Sequence, residues 1–177
     1  MEVKLAMILN FATRQFAFTL ALFAVLFVSI GSVRAFETLA KEVVLMDADT
    51  GAILFQKNGD LPMSPASMSK LMTLYVLFEE ISSGNISMDT EFLVSEKAWR
   101  TGGSKMFVEI DSYVKVKDLL KGIIVQSGND ACIVVAEGIS GSEDAFADLM
   151  NNKAKKLGLL NSNFKNSTGW PDDEHYM

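Results

Sequence analysis

The chain has 177 residues, of which 49% are hydrophobic and 21% charged, and its formal net charge at pH 7 is −6. This length fits one domain of ordinary size, and the acidic balance argues against nucleic acid as the main partner, because a phosphate-binding surface needs a surplus of lysine and arginine. The single cysteine, Cys132, and the single histidine, His175, exclude an intramolecular disulfide framework and a zinc site built from several such residues. We therefore expect a compact acidic domain without a metal or other cofactor.

The N-terminal region has the pattern of a secretory signal peptide. Residues 16–30 are uncharged and largely apolar, they follow basic residues, and small residues precede a predicted cleavage site after Ala35. An uncleaved membrane anchor is the alternative, but crossing a bilayer takes about 20 apolar residues. We expect residues 1–35 to be removed and residues 36–177 to form an exported domain.

Two short β-prone runs open the predicted domain. Residues 43–46 and 52–55 are apolar, and Asp and Gly are concentrated between them, which predicts a β-hairpin. A calcium-binding loop is the alternative, because Asp47 and Asp49 alternate. Gly51 stands where such a loop needs a third oxygen ligand, so the hairpin is favoured.

Helices are predicted for most of the remaining chain. Residues 67–82 are apolar on nearly every side of a 3.6-residue helix, which predicts a helix buried in the middle of the domain and ended near Gly84. Residues 142–157 predict an amphipathic helix capped by Ser142. The other predicted elements are strands at 91–95 and 106–108 and helices at 115–126 and 131–138.

The predicted central helix begins with a serine and a lysine that can form a nucleophile and its base. Ser67 and Lys70 share one helix face, one turn apart. A serine hydroxyl becomes a good nucleophile when a neighbouring base takes its proton. Lysine can be that base only when neutral, and desolvation by Leu71, Met72 and Leu74 is expected to lower its pKa. A helix cap with a snorkelling lysine is the alternative.

The Ser-x-x-Lys and Ser-Gly-Asn motifs each occur more than once, so their sequence context decides which copy is a candidate for function. Ser112 and Ser162 are also followed by a lysine three residues later, but both lie in polar runs rather than at the start of an apolar helix. Ser-Gly-Asn occurs at 83–85, where it fits a helix C-terminus, and again at Ser127 to Asn129, between two apolar helical runs. The second copy can face a cleft or form an ordinary helix-linking turn.

Taken together, the motifs resemble those of the penicillin-binding D-alanyl-D-alanine carboxypeptidases, low-molecular-mass serine peptidases of the Ser-x-x-Lys type. The resemblance is carried by Pro-Ala-Ser-Met-Ser-Lys at 65–70 and Gln-Ser-Gly-Asn-Asp-Ala-Cys at 126–132, and it extends to 46–51, 161–164 and 167–170. It implies an α+β fold, the N-terminal part of a β-lactamase/transpeptidase-like domain. In that domain an antiparallel sheet is flanked by helices and accompanied by a helical subdomain.

The resemblance also implies roles for the motif residues. Ser67 is implied to be the acylated nucleophile, Lys70 its general base, Ser127 a further catalytic residue and Asn129 a substrate-binding residue across the cleft. The family removes the terminal D-alanine of peptidoglycan stem peptides and is acylated by β-lactams. It acts in the bacterial periplasm or at the outer face of the cytoplasmic membrane. No metal, cofactor or nucleic acid is implied.

One family motif has no counterpart in the sequence. A Lys-Thr-Gly strand along the cleft edge is missing, because residues 167–169 lack the cation and Lys57-Asn58-Gly59 precedes the nucleophile. The family pattern continues beyond the position of Met177 into further strands and a C-terminal module, which in turn suggests association with the membrane surface. We therefore expect a truncated chain that folds poorly and is nearly inactive by itself, since an isolated hairpin is marginal in water.

Three other functions compete with this interpretation. A serine β-lactamase of the same fold shares both motifs and needs a water-activating glutamate elsewhere. An inactive penicillin-binding fragment or pseudoenzyme fits the missing strand, but the intact Ser67–Lys70 pair argues against it. A Ser-His-Asp hydrolase needs His175, which follows Asp172 in a polar segment where nothing is expected to fix its tautomer.

Overall fold

The computed structural model describes residues 15–16 and 37–177. The rest of the predicted signal peptide, with its cleavage site, lies outside the described residues. The chain divides into two compact units, Met1–Lys41 and Glu42–Met177, and the second unit contains both the Ser-x-x-Lys and the Ser-Gly-Asn motifs. In the part of the chain that the structure describes, no helix is long and apolar enough to cross a membrane.

The second unit combines short antiparallel strands with helices. Strand β1 pairs with β2 and strand β3 with β4, both antiparallel, so the predicted α+β class is confirmed. In chain order the elements are β1 (Val43–Met46), β2 (Ile53–Lys57), a 3-10 helix (Ala66–Ser69), α1 (Lys70–Ser82), β3 (Glu91–Leu93), α2 (Glu96–Arg100), β4 (Tyr113–Lys115), α3 (Val116–Gln126), α4 (Asn129–Ser140) and α5 (Glu143–Lys156).

The core is built around α4, which packs against α1, α2, α3, α5 and β3. Its segment 131–136 is buried on every side, because small and branched side chains allow the neighbouring elements to approach closely. At Gly138 a Cβ would overlap the ring of Phe92 on β3. Phe146 of α5 is also fully buried, which contributes about 1.5–3 kcal/mol. This packing fixes the N-terminus of α4, where Asn129 lies.

The first predicted hairpin is confirmed. Val43 lies opposite Lys57, and the register shifts after Leu45 at a bulge or irregularity. The Asp47 carboxylate accepts hydrogen bonds from the backbone N–H and the hydroxyl of Thr50, at 2.8 and 2.5 Å. Asp47 is therefore engaged in the turn itself, as Asp residues commonly are.

The predicted helices at 115–126 and 142–157 are confirmed as α3 and α5. Ser142 caps α5 by accepting a hydrogen bond from the backbone N–H of Ala145 at 3.1 Å. Helix α4 begins at Asn129, two residues earlier than predicted, so the link between α3 and α4 is only Ser127 and Gly128.

One local prediction is wrong, and one short helix has no prediction. Residues 106–108 are not a strand, because their backbone N–H groups bind the Asp130 carboxylate, and β4 at 113–115 pairs with β3 instead. Helix α2, which spans five residues, is present without a matching prediction. Its cap is Ser95, whose hydroxyl accepts a hydrogen bond from the backbone N–H of Ala98 at 3.1 Å.

Helix α1 is buried on one side only, which corrects the prediction of burial all round. Met72, Val76 and Leu77 belong to the core, whereas Leu71 is 71% exposed and Phe78 49% exposed. The helix also begins later than predicted, because residues 66–69 form a 3-10 helix that leads into it. The nucleophile candidate therefore lies on the 3-10 helix and its lysine on α1.

Candidate active site

Ser67 and Lys70 meet at the junction of the 3-10 helix and α1. Lys70 Nζ donates a hydrogen bond to Ser67 Oγ at 2.9 Å. Ser67 is exposed, whereas Lys70 is only 4% exposed. The hydroxyl is therefore open to a substrate, while the amine beside it is shielded from water.

The surroundings of Lys70 favour its neutral form. Burial lowers the pKa of the Lys70 amine, because desolvation disfavours the charged form. No carboxylate within residues 37–177 forms an ion pair with it. The Cys132 thiol offers no anion either at neutral pH, because burial raises its pKa to about 12. Of the three expected desolvating neighbours, Met72 is buried and Leu74 partly buried, but the exposed Leu71 does not fit that expectation.

The backbone just before Ser67 has an unusual conformation that a neighbouring segment holds. Ala66 has a φ of +47°, in the left-handed region, which costs an L-residue about 1–2 kcal/mol. Gly169 packs directly on it, since a Cβ at this glycine would overlap the carbonyl oxygen of Ala66. Gly169 itself has a φ of +78°, so this position requires glycine both for its left-handed conformation and for the close approach to Ala66.

The segment that carries this glycine is anchored to two helices. Asn166 Oδ1 accepts hydrogen bonds from the backbone N–H groups of residues 168–170, at 2.8 to 3.1 Å. Glu143, at the start of α5, accepts from the backbone N–H and the hydroxyl of Ser167, at 3.0 and 2.7 Å. Thr73 of α1 donates to the Ser167 carbonyl at 2.6 Å. One wall of the site is thus fixed to the helical core.

The opposite wall is the N-terminus of α4 and the loop that packs on it. Asn129 Nδ2 donates to the Gly102 carbonyl at 2.8 Å, and its backbone N–H donates to the Ser104 carbonyl at 2.7 Å. Asp130 is fully buried and accepts hydrogen bonds from the backbone N–H groups of residues 106–108, at 2.8 to 3.2 Å. Sequence reasoning did not single out Asp130, although it holds this loop in place.

The structure brings three of the four candidate residues to one place. Ser67 and Asn129 line the same cavity of about 260 Å³, with Trp170 at its edge, and Lys70 contacts Ser67. Ser127 is not part of that lining; it is the C-terminal cap of α3, with a φ of +54°. Its hydroxyl makes no hydrogen bond to any residue in 37–177.

Comparison with known proteins decides the family. The family Peptidase_S11, described as D-alanyl-D-alanine carboxypeptidase, matches residues 30–177. The chain is a member of Peptidase_S11. The resemblance drawn from the motifs is thereby confirmed.

Relatives of this Peptidase_S11 chain cover most of it. The D-alanyl-D-alanine carboxypeptidase DacF of Bacillus subtilis is 47% identical over 137 residues, which are 77% of this chain and 35% of that protein. DacA of Escherichia coli is 36% identical, over 77% of this chain and 36% of its own length. Among solved structures, DacD from Francisella tularensis has a TM-score of 0.77 at 46% identity, covering 80% of this chain and 34% of that one. The chain spans about a third of the length of these relatives.

The Peptidase_S11 chain also contains a buried histidine contact that corrects an expectation. His175 is 3% exposed, and its Nε2 lies 2.7 Å from Oγ of the fully buried Ser69. The backbone N–H of Lys165 donates to its Nδ1 at 3.3 Å. The tautomer is therefore fixed, contrary to the sequence-based expectation. A Ser-His-Asp arrangement is not formed, because the imidazole contacts Ser69 rather than Ser67 and Nδ1 is held by a backbone N–H rather than by Asp172.

Proposed function

We propose that this protein is a serine-type D-Ala-D-Ala carboxypeptidase that removes the terminal D-alanine of peptidoglycan stem peptides through an acyl-enzyme on Ser67. The observation that carries the proposal is the 2.9 Å hydrogen bond between Lys70 Nζ and Ser67 Oγ, with the amine buried and the hydroxyl exposed. Membership of Peptidase_S11 supports the substrate class.

In the acylation step, neutral Lys70 takes the proton of Ser67 as its Oγ attacks the carbonyl carbon of the penultimate D-alanine. Backbone N–H groups at the start of the 3-10 helix, where Ser67 lies, favour the negative charge that develops on the carbonyl oxygen. Collapse of this intermediate breaks the C–N bond, and the proton passes to the departing amine. Free D-alanine leaves, and the rest of the peptide remains as an ester on Ser67.

In the second step, water attacks the ester, releases the shortened peptide and restores the Ser67 hydroxyl. We assign Asn129 to substrate binding, because its side chain lines the same cavity and its amide has a second hydrogen besides the one donated to Gly102. We assign Ser127 to proton transfer on the grounds of its motif; its hydroxyl has no other partner in residues 37–177. β-Lactams acylate the same serine.

We also propose that the protein is exported, so that it meets peptidoglycan in the periplasm or at the outer face of the cytoplasmic membrane. The support is the basic, apolar and small-residue pattern of residues 1–35. Association with the membrane surface through a C-terminal module belongs to the same proposal and rests on the family resemblance alone.

Labelling with a fluorescent penicillin tests the assignment. Protein expressed from its full natural coding sequence is incubated with the label and separated on a denaturing gel, beside the variants Ser67→Ala and Ser112→Ala. Ser112 is the matched control, because it has the same Ser-x-x-Lys spacing. We expect labelling to disappear only in Ser67→Ala. Labelling that persists in Ser67→Ala, or none in the unaltered protein, refutes the acyl-enzyme.

The fate of the label and of a peptide separates the remaining alternatives. A carboxypeptidase releases D-alanine from a peptide ending in D-Ala-D-Ala and holds the penicilloyl ester for a long time. A serine β-lactamase of the same fold instead releases the opened penicillin rapidly and leaves the peptide intact. An inactive penicillin-binding fragment releases no D-alanine and does not hydrolyse penicillin.

A further inference from the structure

The 3-10 helix that carries Ser67 is bound to the segment that contains His175 by one buried hydrogen bond. Ser69, on this helix, is fully buried, and its Oγ lies 2.7 Å from His175 Nε2. Ser69 directly precedes Lys70 and follows the nucleophile by two positions. The contact therefore lies within the turn whose geometry sets the distance between Ser67 and Lys70.

The hydrogen bonds define which nitrogen of the imidazole carries the proton. The backbone N–H of Lys165 donates to Nδ1 at 3.3 Å, so Nδ1 must be unprotonated. In the neutral ring the hydrogen is then on Nε2, which donates to Ser69 Oγ. A protonated ring would place a second N–H at Nδ1, against the donor of Lys165, and this contact would be lost.

The imidazole is held in position by the two residues that follow it and by a neighbouring aromatic ring. The backbone groups of Tyr176 pair with those of Asn163, at 2.8 and 3.1 Å, and those of Met177 pair with Met63, at 2.9 and 3.0 Å. The ring of Phe164 packs edge-on against the imidazole, with centroids 5.6 Å apart. His175 is thus part of a fixed surface against which the 3-10 helix rests.

Ser69 also borders the contact that constrains the backbone before the nucleophile. A Cβ built at Gly169 would lie 3.0 Å from Ser69 Oγ and would overlap the carbonyl oxygen of Ala66. The left-handed Ala66 is therefore enclosed by Gly169 on one side and followed by a turn that His175 holds through Ser69. Loss of the imidazole contact leaves the turn free to relax.

We propose that His175 is a positioning residue, whose neutral imidazole acts through Ser69 to hold the 3-10 helix in the geometry that brings Ser67 Oγ against Lys70 Nζ. The proposal rests on the proposed function, since such positioning matters only if Ser67 is acylated. His175 does not contact Ser67 or the cavity.

The charges around the ring set its response to pH. On its own segment, Asp172 favours the charged ring, and the Lys165–Glu174 ion pair at 2.9 Å adds one charge of each sign. Ser69 and Phe164, which face the ring from the other elements, are uncharged. Burial is the largest effect and lowers the pKa of His175 below its ordinary value of 6.5. The neutral form therefore prevails at neutral pH. As the pH falls through that lowered pKa, Nε2 keeps its hydrogen, but the N–H gained at Nδ1 opposes the Lys165 donor, and the ring loses the contact that orients it toward Ser69.

Nuclear magnetic resonance tests the contact itself. Protein from the full natural coding sequence is labelled with ¹⁵N-histidine, and the His175 signals are identified by their loss in His175→Gln. Long-range ¹H–¹⁵N spectra at pH 7.5 are expected to show the Nε2–H tautomer, and Ser69→Ala is expected to shift the Nε2 resonance. A ring with the proton on Nδ1, or one that titrates like a free imidazole, overturns the proposal.

Acylation kinetics test the positioning role. We expect the rate of penicillin acylation to fall about 10-fold or more in His175→Phe, which keeps an aromatic ring but cannot donate to Ser69. His175→Gln is expected to restore most of the rate, because its amide can donate in place of Nε2–H. Melting temperatures of all variants identify any that do not fold. A rate unchanged in a folded His175→Phe overturns the proposal.

A pH profile separates positioning from a purely structural role. We compare the acylation rate of the unaltered protein with that of His175→Gln as a ratio. At pH values under 6.5 this ratio is expected to decrease, because only the imidazole protonates there. Lys70 is present in both proteins, so its titration cancels in the ratio. A ratio that does not change with pH contradicts the proposal. Absence of acylation in the unaltered protein refutes the proposed function and the positioning role together, whereas normal acylation with a flat ratio refutes the positioning role alone.

Discussion

Lys70 is expected to have opposite effects on activity and on stability. Its folded pKa is below that of the unfolded chain, because burial disfavours the charge. Below the ordinary pKa of 10.5 the unfolded state binds the proton more readily, and this difference favours unfolding. The native state regains stability as the pH rises toward that value. In the proposed mechanism the same amine accepts the Ser67 proton, so burial that costs folding free energy favours the form that the chemistry requires.

Replacement of Lys70 tests both effects in one variant. Lys70→Met keeps a long unbranched side chain and removes the amine. We expect the acylation rate to fall about 10²- to 10⁴-fold, as for loss of a general base, while the free energy of unfolding stays equal or increases. Stopped-flow penicillin acylation and urea unfolding measure the two quantities. An unchanged acylation rate would remove Lys70 from the mechanism.

Gly169 packs against the backbone of the nucleophile turn and provides a second test. We expect Gly169→Ala to lower both the melting temperature and penicillin labelling, because its Cβ would overlap the Ala66 carbonyl oxygen. Gly158→Ala is the matched control: this glycine has a φ of +81° but nothing within 4 Å of the added Cβ. In the control, the free energy of unfolding should fall only by the cost of a left-handed alanine, about 1–2 kcal/mol, and penicillin labelling should be unchanged. Equal effects in the two variants would contradict the packing described at Ala66.

At the scale of elements, the N-terminus of α4 organises the loop opposite the nucleophile. We expect Asp130→Asn to destabilise the protein by about 1–3 kcal/mol, because one carboxylate oxygen is replaced by an NH₂ donor that faces backbone N–H groups. Urea unfolding measures this loss, with the exposed Asp148→Asn as control. Penicillin acylation should also slow, since the same loop contacts Asn129. A stability equal to that of the control would show that the loop does not depend on Asp130.

The sequence predicts those elements whose signals are local. The turn at Asp47 and the helix cap at Ser142 are predicted from residues next to them in the sequence, and both are present in the structure. The sequence favours a strand at 106–108, because the true partner of these residues, Asp130, lies more than 20 positions away and gives no local signal. The contact of Ser69 with His175 joins residues 106 positions apart and has no local signal. Family motifs located Ser67, Lys70 and Asn129, whereas the residues that support them came only from the fold.

At the scale of the whole molecule, apolar surface is unevenly distributed. The first eight residues of helix α4 are buried, whereas the β1–β2 hairpin leaves Leu54 63% exposed and Met46 53% exposed. The outer face of α1 is likewise exposed at Leu71 and Phe78. Apolar patches and unpaired strand edges of this kind favour association between molecules. The expectation that the chain folds poorly by itself stays a prediction.

Hydrogen exchange can measure this asymmetry directly. We expect the backbone amides of residues 43–57 to exchange at least about 100-fold faster than those of residues 131–136, because local opening of a hairpin with few buried contacts requires little free energy. Mass spectrometry of peptic fragments, or amide nuclear magnetic resonance, gives the two rates in one sample. Equal protection of hairpin and α4 would show that the hairpin is cooperative with the helical core.

The long separation between Ser69 and His175 has a consequence for biosynthesis. Translation completes the turn around Ser67 well before it reaches His175. The nascent polypeptide therefore carries Ser67 and Lys70 before the contact between Ser69 and His175 can form. On the positioning proposal, the alignment of the two side chains is completed only after residue 175 has left the ribosomal exit tunnel. Ser67 thus acquires its final surroundings late, when the helices that flank it have already been made.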